Sequence, residues 1–410
     1  MPLPPPSRTQ PSVIVGLFTV FFLVGMSPGY YTPALSNILT AKGLGSEWIE
    51  RAFLAGPVAS LISPLIIGAL ADNRFSGQKV FGWIGIISAV LLAAAFHSLE
   101  TPRSPWWFIG LLAASSVVAA PMWSMLTGIS MTHLKWGEQE FPVVRLGGTL
   151  GWMAAGFLTS YVLLADRSPV AGYAGAVTRL IGGFTAFFLP DTPPVGKSRS
   201  LRTLLGLDAF RLLRERDHLV FFTVTMLLSI PLAAFFMHTP QHLEALGNLT
   251  AAATMTIGQI SEIAAMLVMA MVMTRFRVKT VLMVALGLST LRYILFALAG
   301  VSGHSQWLIA GIALHGLCYT LYFITGQLFL DRRVDASLRT QAQGLLTLAS
   351  NGVGSLAGTV LARMIFDATV HAGHGGWSAY WWIQAGCVAV CVPVLAVFYQ
   401  GVPAPRRDGR

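Results

Sequence analysis

Apolar residues along this 410-residue chain come in blocks of roughly twenty, each closed by a short polar turn. Twelve such blocks recur, at 12–35, 50–71, 79–98, 105–130, 143–165, 169–189, 219–240, 252–274, 279–300, 306–329, 341–366 and 377–399. A helix needs about 20 apolar residues to cross roughly 30 Å of hydrocarbon, so the pattern predicts an all-α integral membrane protein with twelve transmembrane helices. We number these spans one to twelve.

The longest polar segment, 190–218, follows the sixth block and separates two sets of six. The expected organisation is a tail 1–11, a six-helix half 12–189, a linker 190–218, a second six-helix half 219–399 and a tail 400–410. Residues 1–11, MPLPPPSRTQP, carry little positive charge and no small-residue cleavage site, so they read as a retained tail. Within the linker, Leu204, Leu205, Leu207, Phe210, Leu212 and Leu213 fall among basic residues, the pattern of a short amphipathic helix lying on an anionic leaflet. Two six-helix halves joined by such a linker are an arrangement of secondary transporters, whose substrate sites lie near the bilayer midplane.

Composition agrees with the pattern. Hydrophobic residues make up 54% of the chain and charged ones 11%, with mean hydropathy +0.66, against about 25% charged in ordinary soluble domains. The net charge of +10 raises nucleic acid as a partner, and the placement of the charge argues against it. With the N-terminus inside, 20 of the 27 Lys and Arg fall on the cytoplasmic side and four outside, the bias of a membrane topology. Both termini are then cytoplasmic. The other three, Arg179, Arg292 and Arg363, lie within spans six, nine and eleven. Cys318, Cys387 and Cys391 all fall within spans without metal-ligand or disulfide spacing, and read as packing residues. No metal cluster, nucleophile elbow or phosphate loop suggests an enzyme, and no cofactor or metal is expected.

Ionisable groups at membrane depth are costly, so they tend to face cavities and carry function. Glu262 sits in the eighth block, TMTIGQISEIAAMLVMAMVM, with Gln259 one turn before it on the same face. Acids such as Glu50, Asp72, Glu140, Glu244, Asp331 and Asp367 lie at span ends or in loops. Desolvation disfavours the charged form of a carboxylate, the property a proton carrier needs. Arg292 is the candidate counter-charge, although a fixed ion pair would instead keep the acid ionised. On span five, Arg145, Thr149 and Trp152 share a stripe that can hold, orient and stack a polar ring. On span ten, His315, Tyr319 and Tyr322 repeat that spacing, and Gly326 continues it. Interfacial anchoring of Arg145, packing of the aromatic stripes and a satisfied core histidine are the plainer alternatives.

The turn GALADNRFSGQKV, 68–80, resembles the signature loop of the major facilitator superfamily, with Gly68, Asp72, Arg74, Gly77 and Lys79 at fitting positions. In that family the loop latches cytoplasmic helix ends. TLLGLDAF (203–210), VRLGGTLGW (144–152), IGQISE (257–262), LRYILFALAG (291–300) and RTQAQGLLTLASNGVGS (339–355) resemble, in matching order, the nucleoside:proton symporter family of that superfamily, represented by bacterial nucleoside permeases.

The resemblance implies substrate-site roles for Arg145 and Thr149, with Trp152 as the aromatic neighbour, and for Gln259 and Glu262. Span ten departs from the family: its Tyr, then Phe followed by Asp, are His315, then Tyr319 followed by Thr320 here, so the second carboxylate is gone. On span seven the family's Gln and Asn are replaced by Ala233 and Phe236. The expected function is proton-coupled uptake of a nucleoside or related small polar ring compound by alternating access, with Glu262 carrying the proton and Arg145, Thr149, Trp152, Gln259, His315 and Tyr319 binding substrate. The expected partners are substrate, protons and the lipid bilayer, with no nucleic acid. The expected protein is a multi-pass monomer in a bacterial cytoplasmic (inner) membrane. The alternatives are an uncoupled or differently coupled carrier of a sugar or drug, and a transport-inactive sensor.

Overall fold

A computed structural model describes residues 8–71, 76–193, 207–334 and 339–401. Every predicted block is helical. Among the described residues, ten helical stretches are long and apolar enough to cross a membrane by length and composition. The remaining two blocks form Ser46–Ala71, 26 residues, and Val170–Ala186, 17 residues. Local chemistry sets several ends. Pro11 and Pro105 open their helices where a missing N–H costs nothing, and Gly303, left-handed at φ 72°, closes Val278–Ser302. Span four breaks between Pro105–Ala119 and Met122–His133, where Pro121 has no N–H to give the ladder. Span ten runs Ser305–Tyr319, a π-helical turn Thr320–Ile324, and Thr325–Arg333.

The contacts resolve into two compact units, Met1–Arg199 with Leu249–Thr256, and Ser200–Asn248 with Ile257–Arg410. In the first unit, spans one and five meet along a glycine seam: a Cβ at Gly25 would stand 2.7 Å from the Gly148 Cα, so only glycine lets the backbones come this close. Leu17, Phe21, Phe81, Met122, Leu126 and Val144 form its apolar core. Arg179 of span six is buried and donates to Ser27 Oγ (3.0 Å), Ser115 Oγ (3.1 Å) and Tyr31 Oη (3.3 Å), hydroxyls that solvate a charge held out of water.

The loop after span five also holds 249–256. Asp166 Oδ1 accepts from the Ala252 N–H (2.7 Å) and Ser160 Oγ from the Ala253 N–H (2.9 Å). Burial pushes the Asp166 carboxyl up from its ordinary range.

Of the signature-loop residues, Asp72 and Arg74 lie outside the described residues and Gly68 is in the helix Ser46–Ala71. Gly77 donates its N–H to Thr192 O (2.8 Å), and Lys79 is exposed in the first turn of the next helix. Gln78 between them donates to Asp191 Oδ1 (2.8 Å) and accepts from the Thr192 N–H (2.9 Å), while His133 Nε2 meets Thr192 Oγ1 at 2.8 Å. Gly77 and Gln78 thus bind the end of span six.

In the second unit, spans nine and twelve, eight and ten, and seven and eleven pair. Arg363 reaches Asp367 Oδ2, one turn on, at 2.8 Å. Asp217, at the start of span seven, accepts from Arg333 (3.3 Å) and from the N–H groups of Gln400 (2.7 Å) and Gly401 (3.0 Å), binding the ends of spans ten and twelve. Of the linker's apolar stripe, Leu204 and Leu205 lie outside the described residues. Leu207–Arg214 is a tight 3-10 helix in which Leu207 and Phe210 are exposed while Leu212 is buried, so the stripe is divided between two faces. With three residues per turn, Leu207, Phe210 and Leu213 eclipse on one side and Leu212 falls on another.

Candidate functional site

On span five the glycine face is spent on span one, which leaves Arg145, Thr149 and Trp152 half-buried on another face of the helix. The Arg145 guanidinium lies 4.8 Å from the Trp123 ring centroid, well within the range of a cation–π contact. Trp123 in turn meets Phe21 edge to face at 5.4 Å. Trp123 follows the Pro121 break and carried no periodic signal in sequence.

The second unit gathers the other polar residues. Spans eight and ten approach through two glycines. A Cβ at Gly258 would stand 3.2 Å from the His315 Cβ, and one at Gly316 would stand 2.5 Å from the Glu262 Cα. Gly316 N–H also lies 3.1 Å from Ser261 Oγ. The seam therefore sets Glu262 and His315 side by side on neighbouring helices. Gln259 is buried and Glu262 half-buried on the same helix.

His315 is 3% exposed, stacked on Phe235 at 4.3 Å and edged by Phe236 at 5.7 Å. Its Nδ1 lies 2.7 Å from Arg292 Nη1. Arg292 Nη2 donates to Tyr293 Oη (2.6 Å), whose hydroxyl donates to Pro231 O. Arg292, the counter-charge suggested for Glu262, thus makes its hydrogen bonds to His315 and Tyr293. Tyr293, anchored on span seven, draws the guanidinium that way. His315, Arg292, Tyr319, Ser289, Leu228 and Phe323 line a recess, together with Leu232 and Cys318.

Tyr322, predicted on the same stripe as His315 and Tyr319, leaves it. The π-helical turn Thr320–Ile324 has a wider winding than 3.6 residues, and rotates Tyr322 into full burial, stacked on Phe221 at 6.0 Å with its hydroxyl 3.1 Å from Thr225 Oγ1. Gly326 also faces Phe221, where a Cβ would come within 2.8 Å of the ring. Thr320, standing where the resembled family has Asp, is fully buried, and its hydroxyl has no hydrogen-bond partner among the described residues.

Long apolar helices, with polar stripes and a carboxylate at membrane depth, are the architecture of a secondary transporter. The family model "Nucleoside H+ symporter" matches residues 12–402. The chain belongs to that family. It is 32% identical over 96% of its length, and 94% of the relative's, to the putative nucleoside transporter YegT of Escherichia coli K12. It is 27% identical over 85% of its length and 87% of the relative's to the E. coli K12 nucleoside permease NupG, and 26% identical over 80% and 82% to the xanthosine permease of the same strain. Among solved structures, it superposes on a point mutant of the nucleoside transporter NupG with TM-score 0.86 at 24% identity, covering 95% of this chain and all of that one. A D-xylose–proton symporter gives TM-score 0.68 at 15% identity, covering 96% and 98%. These likenesses establish the fold.

Proposed function

We propose that the protein imports nucleosides with protons by alternating access, and that Glu262 is the proton-carrying group. The carrying observation is the glycine seam, which sets Glu262 against the helix that bears His315 and Tyr319. An acid there feels whether the recess is filled, and a filled recess feels whether the acid is charged. The relatives named for nucleosides and xanthosine support this substrate class. With Thr320 in place of an acid, Glu262 is the single carboxylate of this arrangement. Arg145, Thr149, Trp152, Gln259, His315 and Tyr319 are the substrate-binding residues of this reading. The signature segment with Gly68, Asp72, Arg74, Gly77 and Lys79 has the role of latching helix ends. The protein is a monomer of the bacterial inner membrane, with both termini cytoplasmic.

A second reading is a differently coupled carrier of a sugar or drug, favoured by Phe236 standing against His315 where the resembled family has an amide. The test is uptake of labelled uridine, inosine, xylose and a lipophilic dye by cells expressing the protein, with and without a protonophore, beside Glu262→Gln. Nucleoside accumulation that collapses with the protonophore and in the variant supports the proposal. Accumulation indifferent to both defeats it, and movement of xylose or dye alone favours the second reading. Transport of none of them favours a sensor.

A further inference from the structure

His315 enters the proposed site as a residue of ambiguous chemistry, able to carry a proton, accept a hydrogen bond or donate one. Its surroundings remove the ambiguity. An arginine guanidinium has only donors and is not deprotonated in proteins, so the nitrogen 2.7 Å from Arg292 Nη1 must be an acceptor. Nδ1 of His315 is therefore bare and the ring's single proton sits on Nε2. The guanidinium cannot drift away from this duty. Nη2 is tied to Tyr293 Oη at 2.6 Å, the Tyr293 ring lies 4.4 Å from the guanidinium carbon and the Phe235 ring 5.0 Å, and Tyr293 itself hangs from Pro231 O. Phe235, stacked on the imidazole at 4.3 Å, fixes the ring's plane as well.

We infer that Arg292 is a positioning residue that locks His315 as a fixed Nε2–H donor, and that this donor reads a hydrogen-bond acceptor, a carbonyl oxygen or bare ring nitrogen, on the base of the transported nucleoside. The inference rests on the nucleoside reading above and deepens it. The ring lines the recess with Ser289 and Tyr319. A second proton on the ring would set two donors against each other and would have to displace Arg292 from its anchors. Among the described residues, the titratable and charged groups around the ring are Arg292 and Tyr293 from span nine, Glu262 across the seam on span eight, and Cys318 and Tyr319 on its own span, while span seven presents the rings of Phe235 and Phe236. His315 is thus a specificity determinant, and the travelling proton is left to Glu262.

The experiment uses the full-length protein in lipid nanodiscs. Binding of uridine, inosine and analogues of inosine lacking one ring acceptor at a time, such as 7-deazainosine and 3-deazainosine, is measured for wild type, His315→Phe, Arg292→Met and Arg292→Lys. The 15N resonances of histidine-labelled wild-type protein are followed in parallel, with His315→Phe identifying the signal. The lock requires a bare Nδ1 and a protonated Nε2 on His315 throughout about pH 5.5 to 7.5, where an ordinary histidine titrates. Loss of one particular acceptor should weaken wild-type binding roughly tenfold, the worth of one good hydrogen bond, with a ratio flat across that pH range. His315→Phe and Arg292→Met should erase the ratio and Arg292→Lys restore it, a pattern that a purely structural arginine would not produce. A proton on Nδ1, a ring that gains a second proton in the range, or equal discrimination by wild type and His315→Phe overturns the inference. If no nucleoside binds to wild type, the transport reading fails, and the nitrogen resonances still decide the lock.

Discussion

Gly316→Ala places one methyl group where spans eight and ten leave no room. The new Cβ would stand 2.5 Å from the Glu262 Cα and would overlap the Glu262 backbone nitrogen and the Gly258 carbonyl oxygen. Carbon–carbon contacts settle at about 3.5–4.0 Å, so the helices must part by at least roughly 1 Å. The neighbours are backbone atoms, which have no rotamer to swing aside. Overpacking of this kind costs about 1–3 kcal/mol. The same displacement pulls Glu262 away from the helix of His315 and Tyr319, so transport should fall further than stability does.

Gly287→Ala is the internal control. It lies within the helix Val278–Ser302, and a Cβ there meets nothing within 4 Å. Glycine to alanine at a compatible helical position gains about 0.4–1 kcal/mol through the unfolded chain. Thermal unfolding of both purified variants in one detergent, with nucleoside uptake in cells at matched expression, gives the comparison. Gly287→Ala should melt at or slightly above wild type and transport normally, while Gly316→Ala melts lower and transports poorly. A Gly316→Ala protein as stable as Gly287→Ala, with wild-type uptake, would refute the claim that the seam positions the site.

Glu262→Gln should abolish accumulation against a gradient while leaving nucleoside exchange across proteoliposomes, because an amide fills the same space without a titrating proton; loss of exchange together with accumulation would count against a purely coupling role. Arg145→Lys replaces a planar cation 4.8 Å from the Trp123 centroid by a compact, strongly hydrated one, so nucleoside affinity should fall by about two- to fivefold, in line with a cation–π contact of roughly 0.5–1 kcal/mol; unchanged affinity removes Arg145 from the site. At the end of span six, the Ser76 hydroxyl and then the Gln78 amide hold the exposed Asp191 carboxyl below its ordinary range. A depressed carboxyl stabilises the fold above the ordinary value of about 3.9 and loses that contribution as pH falls through the folded value. The melting temperatures of wild type and Asp191→Asn should therefore differ above about pH 4 and converge as pH falls well below the ordinary carboxyl value; curves that stay parallel would show that the contact does not favour the charged form.

The helices were legible because burial in hydrocarbon demands a long apolar run, and a run of that kind survives errors of several residues at its ends. Span four shows the limit. Residues 105–130 read as one block, and the break at Pro121 that separates Pro105–Ala119 from Met122–His133 alters neither its length nor its hydropathy. Tyr322 shows another. A 3.6-residue period places it with His315 and Tyr319, and only the backbone reveals the π-helical turn that rotates it into Phe221.

Partners are harder to read than faces. Arg145 announces itself as a cation near a membrane end, but its ring, Trp123, lies on a different span with no spacing to connect them. Arg292 stood out as a charge in hydrocarbon, and electrostatics alone pointed it at the acid that shares its depth, Glu262. What redirects it is Tyr293, the adjacent residue, whose hydroxyl is tied to Pro231 O and holds the guanidinium toward spans seven and ten. A charged group at membrane depth takes the partner its own helix can reach in three dimensions, and periodicity records only the direction in which it leaves the helix. Glu262 and Gln259 can be paired from the sequence because both stand on one helix. The Arg292–His315 pair was missed because it needs two helices and the aromatic wall of a third.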